Sequence, residues 1–519
     1  TGELYFEKKL IGTDKAIKEY NDGLDSWEIN NGFRINEENG LVYIDSYENT
    51  TVYILQKLLK LSYMEDREQQ TYNKKYLNEF GNEIDDDLKR LAMEYLFVNS
   101  KIMLIYGAAG TGKTTLLKNI SQMLKNSSRL YLTKTYTALN NLKRRVSENE
   151  KNVEFLTIDS VIKRNEVLDY DIVIVDECST IDNRTMKRFL EKIGNGPKLI
   201  LSGDIYQIES IEFGNWFYYA KELITTRGAN IELLHNWRTG KEALSSLWNE
   251  VRKKTPIITE KLSIDGPFSE NLNENIFDLK DDEVVLCLNY DGKFGLNNMN
   301  QYFQNMNTKS EAFLWGDWTF KIGDKIIFLD TRRSSLLYNN LKGIIEDIER
   351  NDDSIIFTID IKTYLTEEQC KNESFEYVEN IEDGTRIRLE VFSRDEDEDL
   401  TDEDRIKTVI PFQISYAVSI HKAQGLEYNS VKVVIPSNNA ERITHSIFYT
   451  AITRAKENLK IYWSAETMNA IVKSFTEQKI EPRTLQIIKS KLLDKQGESY
   501  MHNFDVEIQN YMLQDCSYN

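Results

Sequence analysis

Residues 107–114 read Gly-Ala-Ala-Gly-Thr-Gly-Lys-Thr, a complete G-x-x-x-x-G-K-[ST] loop. An apolar run, Ile102–Tyr106, precedes it and a helix-compatible segment follows, which is the strand–loop–helix setting such a loop requires. Each residue type has a mechanical duty. Gly107, Gly110 and Gly112 let backbone N–H groups curl around phosphate oxygens, and Lys113 reaches the β- and γ-phosphates. Thr114 offers its hydroxyl to Mg²⁺, and Thr115 carries the loop into a helix whose positive end faces the anion. The loop predicts a nucleoside-triphosphate site.

Composition sets the outer limits. With 519 residues the chain has the length for three or four domains, each with its own core. Hydrophobic residues make up 40% and aromatic residues 11%, which is the make-up of a globular protein rather than a disordered one. No apolar run nears the roughly 20 residues needed to cross a bilayer, and no signal-peptide pattern opens the sequence. A cytoplasmic setting without membrane association is the expectation. Four cysteines (Cys178, Cys287, Cys370, Cys516) and four histidines suggest neither a disulfide framework nor a metal cluster. The net charge of −19 argues against coating nucleic acid by bulk attraction, but not against a groove of local donors and stacking rings. Much of the acidic excess lies in Arg394–Arg405, read as a solvated loop. The sequence begins at Thr1 rather than a methionine, as expected of a chain trimmed or cut from a longer one.

Along the chain, residues 1–84 are mixed and polar, with Val52–Leu61 the best helix. Leu88, Leu91, Ala92, Tyr95 and Leu96 then recur at helical spacing. Short apolar strands follow at Ile102–Tyr106, Arg129–Thr133, Val153–Leu156, Asp171–Val175, Lys198–Ser202 and Ile231–Leu234, with amphipathic helical stretches between several of them. This alternation predicts a parallel sheet covered on both faces. Glu283–Leu288, Ser430–Ile435 and Leu459–Trp463 suggest a second sheet. Between them lie the β-branched runs Lys325–Leu329, Ser354–Ile361 and Ile387–Phe392. The expected fold class is α/β, with two parallel-sheet domains and a small β domain interrupting the second.

The strand Asp171–Val175 runs directly into Asp176 and Glu177, which places both acids at the carboxyl edge of the sheet beside the phosphate loop. There Asp176 can hold Mg²⁺ through water and Glu177 can polarise an attacking water. Lys198–Ser202 ends in Gly203-Asp204-Ile205-Tyr206-Gln207. Leu132–Arg145 precedes these, and Asn236-Trp237-Arg238, Ser419-Ile-His421-Lys-Ala-Gln424-Gly425-Leu-Glu427 and Tyr449-Thr-Ala-Ile-Thr-Arg454 follow. In this order the segments resemble the motif series of superfamily 1 helicases, over about residues 100–465.

The resemblance implies two RecA-like domains with ATP in the cleft between them. In that scheme 1–84 is an N-terminal accessory region, 85–270 the first RecA-like domain, and 271–318 with 412–475 the second. Residues 319–411 form a β-rich, barrel-like insertion, and 476–519 a C-terminal tail. It also implies that Gln207 senses the γ-phosphate and that Arg238 and Arg454 face the nucleotide. Gly425 and Glu427 would then touch its phosphate side and ribose. Thr135, Thr137, Ser419 and His421 would contact nucleic acid, and Tyr206, Tyr136 and Trp216 are aromatic candidates for stacking on bases.

Only about 25 residues separate Arg145 from Asp171 and the second insert is β-rich, a pattern similar to the RecD/Dda-like, 5′ to 3′ branch rather than the UvrD-like one. Gly323-Asp324-Lys325 and Asn339–Gly343 look like the entry and turn of that branch's small barrel. The short stretch before Asp171 leaves little room for a duplex-splitting hairpin, so translocation is a firmer expectation than unwinding. Members of that branch place a glutamine ahead of the phosphate loop to read adenine. Here Lys89 is the nearest occupant, which leaves base selectivity open. The implied partner is single-stranded nucleic acid, with DNA favoured over RNA, and residues 1–84 or the tail are candidate surfaces for a protein partner. A regulatory or sensor ATPase subunit of a larger complex is the alternative from another class, and an RNA helicase of the same superfamily is a third.

Overall fold

The computed structural model describes residues 3–63, 66–146, 152–165, 168–193, 196–208, 210, 212–264, 266–280, 282–329, 333–393, 406–477 and 482–494. The acidic run at 394–405, Cys516 and the tail beyond 494 lie outside these residues. Two compact units emerge: residues up to 134, 142–237 and the helix Pro482–Asp494 in the first, 135–141 and 238–477 in the second.

The first unit is built on a six-stranded parallel sheet. Its strands run in the order Val153–Thr157, Arg129–Thr133, Ile172–Val175, Lys198–Gly203, Ile102–Gly107, Asn230–Leu233. Its central strands are almost wholly buried and mostly apolar because both faces are covered. Side-chain alternation sends Ile102, Leu104 and Tyr106 to one face and Met103 and Ile105 to the other. On the second face pack the helices Arg67–Phe80, Asp87–Tyr95 and Lys113–Met123.

The first face is covered partly by residues from 1–84. The helix Asp45–Leu61 buries Val52, Ile54, Leu55 and Leu58 in the same core as Leu104 and Leu199, and Ile487, Ile488 and Leu492 of Pro482–Asp494 join them. Lys491 anchors that last helix by pairing with Glu38 (2.7 Å) and with Glu48, which is buried and accepts from the Tyr5 hydroxyl (2.6 Å). Between Val146 and Asp171 the described residues hold the strand Val153–Thr157 and the helix Ile158–Lys163, not a hairpin. Trp216 is fully buried, its indole donating to the Ile181 carbonyl, so it is a core residue and not a base-stacking platform.

The second unit holds a five-stranded parallel sheet in the order Ser269–Glu270, Ala455–Tyr462, Tyr428–Val434, Glu283–Cys287, Ala417–Ser419. It also holds a six-stranded antiparallel sheet, Glu376–Ile381, Gly384–Phe392, Ser354–Ile361, Lys342–Arg350, Lys325–Phe328, Phe412–Ile414. Its strand pairings run linearly from the first of these to the last. Asp324 ties the two sheets' surroundings together. It is fully buried and accepts from Gln304 (2.6 Å), Asn307 (2.9 Å), the Tyr416 hydroxyl (2.8 Å) and the Lys321 backbone N–H (2.8 Å). Asp324→Ala is expected to lower unfolding free energy by about 4 kcal/mol, roughly 1 kcal/mol for each of these donors left unmatched, as read by urea denaturation.

His445 begins the helix His445–Ile452 and is buried, with its Nε2 2.7 Å from the Val251 carbonyl and Phe475 edge-on to its ring. Burial pushes its pKa down to about 4. An unfolded chain therefore takes up a proton between pH 6.5 and 4 that the folded one refuses. Stability present above pH 6.5 is lost as pH falls through 4, by about 3 kcal/mol for a shift of this size. Thermal melts across that window should show the loss, and His445→Phe should flatten it.

Candidate nucleotide site and nucleic-acid contacts

Four adjacent strands of the first unit end at one edge, and each delivers a segment there. Ile102–Gly107 leads into the phosphate loop, Ile172–Val175 into Asp176-Glu177, Lys198–Gly203 into Asp204–Gln207, and Asn230–Leu233 into Asn236-Trp237. Carboxyl ends of parallel strands at a point where strand order reverses make the standard ligand crevice of such sheets.

The loop has the form of a cradle. Gly110 and Gly112 take φ of 83° and 82°, which only glycine adopts without strain. A Cβ on Gly107 would stand 2.4 Å from the Thr111 hydroxyl. Lys113 opens the helix Lys113–Met123, and its Nζ lies 2.7 Å from the Gly107 carbonyl and 3.1 Å from that of Ala108, which folds the ammonium over the loop. Thr114 is half-buried and Thr115 exposed on the same first turn. The outgoing segment straps the loop down: the Asn236 amide donates to the Ala109 carbonyl (3.1 Å) and the Trp237 N–H to that of Gly110 (2.8 Å).

Asp176 is buried at the strand end, its N–H bonded to the Leu132 carbonyl (2.9 Å). Glu177 follows in the left-handed region at φ 55°, a conformation that costs a non-glycine residue about 1–3 kcal/mol and is concentrated at working sites. Cys178 behind it is buried, and burial together with Asp176 pushes its thiol pKa well above the ordinary value, so it is no nucleophile. Gln207 is held by Asp204, whose second oxygen accepts from its amide (2.9 Å) while the first accepts from the Tyr206 N–H (3.0 Å). Tyr206 is half-buried with Lys221 over its ring.

In the second unit Arg238 donates to the Thr453 carbonyl (2.7 Å) and pairs with Glu427 at 2.5 Å. Lys456 also reaches Glu427 (3.1 Å). Lys342 donates to the Glu427 backbone carbonyl and lies over the Tyr428 ring, and burial brings its pKa down to about 8. Arg454 is buried and donates to the carbonyls of Thr450 (3.0 Å) and Leu426 (3.2 Å). Gly425, at φ 73°, makes the turn between His421 and Glu427. Ser419 is buried at the end of its strand and its hydroxyl accepts from the Lys422 N–H (3.2 Å), whereas His421 is exposed. Thr135 accepts from the Ala138 N–H (3.3 Å), Tyr136 is exposed, and Thr137 is buried with its hydroxyl on the Asn339 carbonyl.

The structure thus gathers Lys113, Thr114, Asp176, Glu177, Gln207 and Trp237 at one edge of the first unit, and Arg238, Glu427 and Gly425 in one part of the second. Sequence reasoning quoted Asp204 and Asn236 within motif segments but gave them no role, and it gave none to Lys342 or Lys456; all four act on the named residues. Mg²⁺ fits the donors Thr114 and Asp176, both oxygen ligands beside a loop that a Cβ would fill.

Two family models match the chain: one described as an AAA domain over residues 88–265, and one as a UvrD-like helicase C-terminal domain over residues 415–462. The RecBCD enzyme subunit RecD of Buchnera aphidicola is 23% identical, with 75% of this chain and 75% of that protein covered. An uncharacterized protein of Methanocaldococcus jannaschii is 26% identical over 88% of this chain and 45% of its own length. Bacteroides Pif1 bound to ssDNA matches at a TM-score of 0.44 and 14% identity over 70% of this chain and 90% of that one, too loose a likeness to carry detail.

Proposed function

We propose that this chain, a member of the RecD-like superfamily 1 helicases, is an ATP-dependent DNA helicase that moves 5′ to 3′ on single-stranded DNA. The observation that carries the reading is the convergence of the phosphate loop, Asp176-Glu177 and Asp204–Gln207 at neighbouring strand ends. Lys113 and the loop N–H groups bind the triphosphate, and Glu177 orients the attacking water and takes its proton. Gln207, steadied by Asp204, contacts the γ-phosphate and changes position with its loss. Thr114 and Asp176 would hold Mg²⁺, which supplies charge neutralisation at the β- and γ-oxygens.

Arg238 exchanges Glu427 for the transferring phosphoryl group, where a guanidinium stabilises developing charge. Arg454 orders the Leu426–Glu427 backbone through its carbonyl contacts. Thr135, His421 and Tyr206 contact the strand, chiefly through backbone and stacking interactions that tolerate any sequence, whereas Thr137 and Ser419, expected to do so from sequence, are buried and serve as supports beneath them. A ligand shifts such a motor only by its differential affinity for two states, and the γ-phosphate supplies that difference.

RecD is a subunit of the RecBCD enzyme, which supports a protein partner here as well. The exposed face of the N-terminal region, with Trp27 64% exposed, is the proposed surface for it. Phosphate release with and without single strands tests the motor, and absence of stimulation by DNA rejects it. Substrates with one 5′ or one 3′ overhang test the direction, and preference for the 3′ overhang rejects 5′ to 3′ movement. Competition by RNA oligonucleotides separates the two nucleic acids.

A further inference from the structure

In the antiparallel sheet, the turn that leads into the strand Lys342–Arg350 carries two costs. Asn340 stands at φ 68°, in the left-handed region, and its carboxamide oxygen is buried with no hydrogen-bond partner among the described residues. Bonds to the neighbouring strand Lys325–Phe328 strap the turn down: the Asn340 N–H donates to the Phe328 carbonyl (2.8 Å), and the Phe328 N–H to that of Leu341 (2.9 Å). Strain and an unmatched oxygen persist where the surroundings over-determine a conformation, which is the pattern of a working element.

The neighbours of this turn suggest its use. On one side lie residues 135–141 of the second unit. The Thr137 hydroxyl donates to the Asn339 carbonyl, and the Asn141 amide to the Gly425 carbonyl (3.3 Å). Thr135, at the start of the same segment, is a proposed strand contact. On the other side, Lys342 donates to the Glu427 carbonyl (3.3 Å), and its Nζ lies 3.6 Å from the centre of the Tyr428 ring. The Glu427 carboxylate is in turn divided between Arg238 (2.5 Å) and Lys456 (3.1 Å). Residues 339–342 thus stand between a strand-contacting segment and the arginine assigned to the phosphoryl group.

We propose that Lys342 is a positioning residue that keeps Arg238 parked on Glu427, and that a strand bound at residues 135–141 releases the arginine by moving this turn through Thr137 and Asn339. The proposal rests on the helicase reading above. While Lys342 donates to the Glu427 carbonyl, it fixes the backbone from which the carboxylate reaches Arg238, and a guanidinium held there is withheld from phosphate. Displacing the turn draws Nζ off that carbonyl, the Glu427 segment loosens, and Arg238 exchanges partners. The strand drives this only by binding the displaced turn more tightly than the strapped one. Besides Glu427, the charged groups facing Lys342 are Asp282, Lys325, Lys362 and Lys456, and burial outweighs them in bringing its pKa down to about 8. Burial pushes the Tyr428 hydroxyl well up, so that ring stays neutral. Above pH 8 Lys342 loses its charge and its hold weakens, so rising pH should mimic release.

The test is ATP turnover by the full chain, with and without saturating single-stranded DNA. Lys342→Met, which keeps the length and removes the charge, is expected to raise the DNA-free rate about three- to tenfold, the worth of one hydrogen bond, and to cut the stimulation ratio accordingly. A merely structural lysine would lower both rates when replaced. Thr137→Val should instead lower the rate at saturating DNA, because the turn no longer feels the strand. The double variant should behave like Lys342→Met, since the release that Thr137→Val blocks has already happened. In the native chain the stimulation ratio should fall as pH rises through about 8, whereas in Lys342→Met it should stay flat. A DNA-free rate that is unchanged or lower in Lys342→Met overturns the inference. Should that variant fail to fold, the native chain decides: a ratio constant from about pH 7 to 9 overturns it equally. A native chain that ignores DNA altogether removes the motor and the parked arginine together. Stimulation that survives Lys342→Met undiminished removes only the parked arginine.

Discussion

Lys113→Ala is expected to reduce ATP turnover by at least about a thousandfold and leave the fold intact. The removed ammonium is the one charge that the loop itself directs at the β- and γ-phosphates, and a single preorganised donor at developing charge is worth about 10²–10³ in rate before the loss of substrate affinity is added. The side chain is only half-buried and its ammonium bonds are to two loop carbonyls, so the thermal midpoint should move little. Single-turnover hydrolysis in saturating ATP, paired with a melting curve, separates a catalytic defect from an unfolded protein. A variant that still responds to single-stranded DNA with native turnover would remove residues 107–114 from the reaction.

Arg238→Ala should lower turnover by about 10³–10⁵, the range for enzymes that place a guanidinium on a transferring phosphoryl group. The contacts seen here make this a sharper test than for an isolated arginine. Arg238 is paired with Glu427, and Lys456 shares that carboxylate. Were Arg238 purely structural, Glu427→Gln would mimic its loss, since both break the same ion pair. If Arg238 acts on the phosphate, Glu427→Gln should retain far more activity than Arg238→Ala, and Arg238→Lys should fail despite keeping the charge, because it lacks the planar fork. Equal defects in Arg238→Ala and Glu427→Gln would assign the arginine to structure.

Sequence reading succeeded where one signal dominated. The strands Ile102–Gly107 and Ile172–Val175 are unbroken apolar runs and Lys198–Gly203 carries the apolar core Leu199–Leu201, since both sheet faces are covered, and each leads straight into the residues it positions. It fell short where partners are distant in sequence. Nothing in Asp45–Leu61 announces that it shares a core with Leu104 or with Ile488 some 430 residues later. The strand Lys342–Arg350 escaped notice because charged residues occupy much of its length, leaving only part of a period-2 pattern. Trp216 read as a candidate surface aromatic because a residue's type does not reveal which side of its helix meets the sheet. Asp204, Asn339 and Lys342 lie in polar stretches, and their pairings exist only once the backbone has turned.

The return of Pro482–Asp494 to the first unit has a mechanical corollary. Besides the short excursion at 135–141, polypeptide leaves that unit after Trp237 and comes back before Pro482, so this long segment is held at both of its ends like a bucket handle. Any tug on the handle is shared between a covalent root at one end and the grip of Lys491 on Glu38 and Glu48 at the other. A single protease nick near the root would then leave both fragments travelling together through gel filtration, because Ile487, Ile488 and Leu492 stay sunk in the first unit's core beside the Lys491 pairs.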